Sequence, residues 1–328
     1  MSLRIIKEGI LDTIQDSGRH GLQHLGINPG GAMDRFSAQL ANALLGKEPG
    51  EPVLELHFPA AHILFEKPAI ISITGADFKP LINNQQVPMH HPIAVHENSM
   101  LQFSHMENGS RAYVSILQSL EIPSWKNSYS THLRAGLGGF EGRALKRYDV
   151  IPYETNISIY SLLKNKEFMV LPWKAVETVE DRSRIQCLIG SEWHSLDQDS
   201  KIEFEKHWFQ VSKDSDRMGY RLMGPSLNLK QEEPQVSTGV SFGTVQLLPD
   251  GQVIVLMADH QTAGGYPKIA HVISAHLPLL AQKKPGDAFH FELTDLTTAE
   301  EKLVKQQKYL GEIRLACKFR MENVLHES

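Results

Sequence analysis

The sequence predicts a mainly β protein of two domains, with few short helices and a helix at its C-terminal end. Three observations predict it. Short apolar or alternating runs recur along most of the chain, with Gly, Pro or Asn between many of them. Few stretches carry the apolar period of a helix, which favours sandwiches or closed barrels over a βαβ sheet. The strand rhythm stops at a charged stretch, Glu177–Ser183, and restarts beyond it. A chain of 328 residues is long enough for two domains, each with its own core.

The first domain is expected over residues 1–175. Its strands are predicted at Leu3–Ile6, Val53–Phe58, His62–Phe65, Ala69–Ile73, Ile93–His96, Met100–Ser104 and Ala112–Leu117. One helix interrupts them. Met33, Phe36, Leu40 and Leu44 recur at helical spacing, and Gly46 is placed to end the helix. Asp34 sits near its start, where the helix dipole favours a carboxylate.

The second domain is expected over residues 184–297. Strands are predicted at Ile185–Ile189, Trp208–Ser212, Tyr220–Met223, Val236–Phe242, Thr244–Leu248, Val253–Ala258 and Phe289–Leu293. Residues 298–328 read as a helical tail. Thr298-Ala299-Glu300-Glu301 matches a capping box, and Leu303, Leu310 and Ile313 fall on one face as far as about residue 315.

Composition excludes several function classes. A net charge of −5 gives no footprint for a nucleic-acid partner. Cys187 and Cys317 stand in no metal or redox spacing and fit a reduced, cytoplasmic setting. The N-terminus lacks the apolar core of a signal peptide, and no stretch is apolar enough to span a membrane. His20 and His24, His90 and His91, and His271 and His276 supply no three convergent ligands, so no metal site is expected. Gly46-Lys47 is followed by Glu48, which rules out a P-loop. There is no G-x-S-x-G elbow and no Met-Lys-Met biotin attachment site. The chain carries no self-contained ATPase or hydrolase machinery.

Five charged glycine turns remain as candidates for chemistry. Asp16 and Arg19 flank a turn, and a forked guanidinium suits a carboxylate or phosphate; a plain ion pair explains the same residues. Asn28-Pro29-Gly30-Gly31-Ala32-Met33-Asp34 leads a glycine turn into a helix, which makes either an anion site or an ordinary cap. Leu137-Gly138-Gly139-Phe140-Glu141-Gly142-Arg143 is no dinucleotide fingerprint and reads best as a glycine-lined barrel corner from which Arg143 can reach a site. Asp214-Ser215-Asp216-Arg217-Met218-Gly219-Tyr220-Arg221 holds more charge than a turn needs, although a surface ion network accounts for it equally well. The fifth is Ala258–Ile269. An apolar strand runs into Asp259, His260, Gln261 and Thr262, then Gly264-Gly265 frees the backbone and Tyr266-Pro267 stiffens it before Lys268. A hairpin turn with a solvated lysine is the alternative.

Read together, these segments resemble one family. Thr13–Arg19, Gly31–Asp34, Thr74–Asp77, Gly138–Leu145, Ser215–Leu222 and Gln261–Lys268 match in order the family called allophanate hydrolase subunit 2, or biotin-dependent carboxyltransferase, over about residues 5–295. The family includes the KipA protein and the C subunit of 5-oxoprolinase. The resemblance implies a pair of cyclophilin-like β-barrel domains. It implies work with two sister proteins of 5-oxoprolinase, the B subunit (KipI-like) and the A subunit, which together open 5-oxo-L-proline to L-glutamate at the expense of ATP. Fused relatives move a carboxyl group from biotin to urea, so biotin on a separate carrier is the cofactor of the alternative reading. A KipA-like regulatory binding protein is a second alternative. In one place the chain departs from the pattern. Tyr129, within Asn127-Ser128-Tyr129-Ser130-Thr131, stands where the family commonly has arginine, which bears on any substrate contact at that loop.

On that resemblance, Lys268, Arg19 and Arg217 are the expected catalytic cations, with Asp16 orienting them or handling a proton. Asp34, Arg143, Asp216, Tyr220, Arg221, Gln261, Gly264, Gly265 and Tyr266 are the expected substrate- or anion-binding residues. Lys268 is the leading candidate, because glycines and a proline fix its backbone.

Overall fold

Alternating apolar residues in the first half of the chain build two antiparallel sheets around one core. The computed structural model describes residues 2–154, 159–163, 166–176, 181–231 and 236–326. It divides into two compact units that are not continuous in sequence. The first takes residues 1–19, 34–178 and 307–328; the second takes 20–33 and 179–306. Residues 177–180 of the expected linker lie outside the described residues.

In the first unit, one six-stranded sheet orders Val150–Pro152, Ser2–Lys7, His62–Phe65, Ser99–Phe103, Pro80–Ile82 and Gln85–Gln86. The other orders Phe168–Val170, Pro92–Val95, Ala69–Asp77, Asn108–Ile116, Val53–His57 and Thr13–Gln15. Leu3, Ile5, Phe65 and Leu101 of one sheet meet Leu54, Ile71, Ile73 and Val114 of the other in a buried core. The opposite face of the second sheet mixes Ser72, Thr74 and Ser115 with Ile70 and Ala94, and helix Arg35–Leu44 lies along it. Ser72 donates to the Ala41 carbonyl at 2.6 Å, Thr74 to the Ser37 carbonyl at 2.7 Å, and Ser115 to the Asn42 side chain at 2.6 Å. These bonds satisfy hydroxyls that would otherwise be buried unpaired. The same helix packs Leu40 and Leu44 with Trp173, Leu310, Cys317 and Met321, the last three from the C-terminal helix.

The second unit is a closed barrel. Its strands run Arg184–Ile189, Lys268–Val272, Thr244–Leu247, Val253–Leu256, Gly219–Met223, Phe209–Val211 and Ala288–Leu293 around the ring. Parallel pairing of Arg184–Ile189 with Ala288–Leu293 closes it. Cys187, Val245, Val255, Phe289 and Phe291 fill the interior. Phe204 stacks on Phe291 with centroids 4.6 Å apart. The molecule is thus mainly β.

Some elements differ from the sequence reading. Of Val236–Phe242, only Thr238–Gly239 pairs as a strand, with Ala263–Gly264. Helix Gln198–Lys206 was invisible to periodicity because it buries only Ser200 and Phe204; Asp197 caps it through the Ser200 N–H at 2.7 Å. The C-terminal helix runs from Leu296 to His326. Its N-terminal hydrogen bonds come from Asp295, which accepts from the Thr298 N–H at 2.9 Å and the Thr298 hydroxyl at 3.1 Å. Thr298 is therefore not the cap. The helix continues past residue 315 because Cys317 and Met321 carry its buried stripe onward.

Candidate functional site

In the first unit the expected residues fall in three places: Asp16 with Arg19, Asp34 at a helix start, and Arg143 beside Asp149. Strand Thr13–Gln15 delivers Asp16 to the loop Trp125–Thr131. The Asp16 carboxylate accepts from the Gly18 N–H at 2.7 Å, the Tyr129 N–H at 2.6 Å and the Ser128 hydroxyl at 2.8 Å, and also from the Ser130 hydroxyl. Arg19 is buried, donates to the Ser130 carbonyl and lies 4.9 Å over the Trp125 ring. Gly138 is forced here. It sits at φ 68°, and a Cβ on it would come within 2.2 Å of the Ser130 carbonyl and 3.1 Å of the Arg19 guanidinium. Asp16 and Arg19 both hold Ser130, one through its hydroxyl and the other through its carbonyl. Tyr129 contributes its backbone N–H to Asp16 while its ring packs on the first core, so holding this loop requires no arginine at that position.

Arg35 is a residue the sequence reading missed. Burial pushes its guanidinium below the ordinary value, and the charge of Asp16 works against that shift. Its only signal was its place next to Asp34. Asp34 itself caps helix Arg35–Leu44, accepting from the Ser37 N–H at 2.8 Å and the Ser37 hydroxyl at 2.6 Å. Its own N–H donates to the Tyr113 hydroxyl at 2.8 Å, which in turn donates to Glu55 at 2.9 Å. Arg143 turns to Asp149, at 2.7 and 2.9 Å, and to Glu141.

In the second unit three of the glycine turns converge. Arg217 makes a two-pronged pair with Asp259, at 2.8 and 3.1 Å, and donates to the Gly31 carbonyl at 2.6 Å. The Asn28 amide donates to the Asp259 carbonyl at 2.9 Å. Arg217 thereby fastens the Asn28–Met33 loop to the barrel. Asp216 accepts from the Met218 and Gly219 N–H groups at 2.8 and 3.2 Å, which shapes the turn. Tyr220 is buried and donates to the Lys283 carbonyl at 3.3 Å, whereas Arg221 points outward from its strand and is exposed.

The Gln261–Lys268 segment forms the third feature. Gly265, Tyr266 and Pro267 line a cavity of about 430 Å³ together with Ser226–Leu229 and Leu247–Gly251. Tyr266 is 44% exposed at its edge. Lys268 opens the strand Lys268–Val272, and its N–H donates to a Glu192 carboxylate oxygen at 2.7 Å. Its ammonium stands 3.8 Å from the same oxygen. Glu192 gave no signal in the sequence, because the pair spans 76 positions. Among the described residues there is no group of three His, Cys, Asp or Glu able to hold a metal ion, and no helix long and apolar enough to cross a membrane.

The model of the family described as carboxyltransferase domain, subdomain A and B, matches residues 25–293. The chain belongs to this family. It is 34% identical over 302 residues to the C subunit of 5-oxoprolinase from Haemophilus influenzae, covering 92% of this chain and 94% of that protein. It is also 34% identical over 311 residues to the C subunit of 5-oxoprolinase from Escherichia coli, covering 95% and 97%. Among solved structures, part of the urea carboxylase of Kluyveromyces lactis has the same fold, with a TM-score of 0.86 at 24% identity. That match covers 95% of this chain but 29% of the other, so the chain spans under a third of the larger protein.

Proposed function

We propose that this chain is the C subunit of a multi-subunit enzyme that hydrolyses 5-oxo-L-proline to L-glutamate with consumption of ATP, acting with sister A and B subunits. The observation that carries this reading is the end-to-end match to the C subunits of two bacterial 5-oxoprolinases, at 34% identity with 94% and 97% of their lengths covered. A lactam carbonyl is a poor electrophile, and phosphorylation of its oxygen creates a leaving group. The charge that develops needs fixed cations and donors. Lys268, set on a stiff turn beside Glu192, supplies one such cation. Asp16 with Arg19, and Arg217 with Asp259, hold the loops that carry the remaining polar groups. ATP enters at the level of the complex. The test is reconstitution with the A and B subunits, following ADP release with 5-oxoproline. Turnover that requires all three chains is the expected result; none with well-folded subunits would overturn the proposal.

A second reading, favoured by the family description and by the urea carboxylase fold, is carboxyl transfer from biotin on a separate carrier. The same cation would then face the ureido oxygen of biotin. Avidin separates the two readings, because it blocks the second reaction and leaves the first untouched.

A further inference from the structure

Strand Thr244–Leu247 carries one residue whose chemistry the barrel does not use. Val245 and Leu247 belong to the apolar core, so Gln246 between them projects from the other face. It is nonetheless only 1% exposed. The turn that leads to Lys268 covers it. A Cβ added to Gly264 would come within 2.6 Å of the Gln246 Nε2, which shows how closely the turn lies over this side chain. Nε2 donates to the Tyr266 carbonyl at 3.4 Å. That contact fixes the amide orientation, because the reverse would set two oxygens against each other. The Oε1 that results is buried and has no hydrogen-bond partner among the described residues. A buried acceptor left unpaired is costly, and a structural strand would carry Val or Ile there.

Lys268 is the ladder partner of Gln246, just past a register shift between Val245 and Gln246, and paired residues share a face. Its ammonium has three donors and stands 3.8 Å from Glu192. An ammonium donor and a buried carboxamide acceptor therefore stand on paired residues of neighbouring strands. A ring amide is held cis, so its C=O and N–H project from one edge and match that pair. We propose that Gln246 is a specificity-determining residue that accepts the N–H of a lactam or cyclic urea while Lys268 donates to its carbonyl oxygen. The proposal rests on the functional reading above and sharpens its substrate class.

The test compares two ligands of the assembled three-subunit complex: 5-oxoproline, and the lactone acid in which the ring N–H is replaced by oxygen. Competitive binding gives the ratio of their affinities. The wild type is expected to favour the lactam by about tenfold or more, as an unpaired buried acceptor predicts. Gln246→Met, of similar volume and without the acceptor, should bring the ratio to within about threefold, mainly by weakening the lactam. A role confined to bracing the turn would weaken both ligands alike and leave the ratio unchanged, which overturns the proposal. A wild-type ratio near one overturns it without recourse to the variant. If the wild type neither binds nor turns over 5-oxoproline, the functional reading fails. The same comparison is then made with 2-imidazolidone against ethylene carbonate. Discrimination lost in Gln246→Met supports amide-edge recognition, and absence of binding or of discrimination overturns it.

Discussion

Arg217 and Lys268 are two cations on glycine turns of the same barrel, and the structure treats them in opposite ways. The Arg217 side chain is 6% exposed, with that of Asp259 at 9%, and its guanidinium makes two prongs to that carboxylate as well as a bond to the Gly31 carbonyl. The Lys268 side chain is 17% exposed, and its ammonium stands 3.8 Å from Glu192, beyond ordinary hydrogen-bond distance. A planar fork suits permanent two-point attachment, whereas a compact ammonium on a flexible stem can exchange partners. Arg217 is engaged in holding the turns together; Lys268 has donors to offer a ligand.

Removing the pinned cation tests this contrast most severely. Arg217→Ala strands Asp259 as a buried charge without its partner and should cost about 3–5 kcal/mol of stability. Urea denaturation of the isolated chain measures it. Arg217→Lys should recover only part, since one ammonium cannot reproduce the two prongs. A loss below about 1 kcal/mol would mean the pair behaves as a surface one.

Asp12 shows what happens to a buried carboxyl group that has no counter-ion among the described residues. It is fully buried, and its carboxylate accepts from the His57 and Ala61 N–H groups, at 2.8 and 2.7 Å. Burial pushes its pKa up to about 7, against the pull of those two bonds and with a small push from Glu55. The folded state therefore holds a proton that the unfolded chain releases near the ordinary carboxylate value. The stability due to Asp12 is complete below about pH 4 and falls as pH rises to about 7, by something on the order of 4 kcal/mol. Asp12→Asn should flatten that part of the stability–pH curve. An unchanged slope would mean that Asp12 is ionised in the fold.

For Lys268 the loss should appear in activity and not in stability. Lys268→Ala in the assembled complex is expected to raise the barrier by about 2.7–4 kcal/mol, the cost of removing one donor to developing charge. Urea denaturation of the variant chain should move by less than about 1 kcal/mol, because the pair it breaks is partly exposed. Full turnover would remove Lys268 from the chemistry.

These contrasts also show what was legible in the sequence. Strands such as His62–Phe65 announced themselves as short, mainly apolar runs. Helix Arg35–Leu44 did so through its apolar spacing and its capping aspartate. The charged glycine turns pointed to places where polar groups gather. They could not say which cation is pinned, since that depends on partners far along the chain. Asp259 lies 42 positions from Arg217, and Glu192 lies 76 from Lys268. Asp16 was legible as a charged turn residue, but the serine loop that surrounds it, more than a hundred positions away, was not. Gln246 was hidden for a related reason. Within an apolar strand it looks like an outward polar residue, and only the turn folded over it makes it buried.

The smallest effect probes Glu192, and it separates a structural anchor from a charge that competes with the ligand. Glu192 has two roles toward Lys268: its carboxylate accepts the Lys268 N–H at 2.7 Å, and its charge faces the ammonium at 3.8 Å. Glu192→Gln keeps an acceptor for the N–H and removes the charge. The turn should therefore hold, with stability changed by less than about 1 kcal/mol. If Lys268 releases Glu192 to meet an anionic or carbonyl ligand, removing the rival charge should tighten 5-oxoproline binding up to about fivefold, the equivalent of about 1 kcal/mol. A weaker KM in Glu192→Gln at unchanged stability would show instead that the carboxylate aims the ammonium. Lys268 would then belong with Arg217 among the pinned charges, and the contrast between the two would collapse.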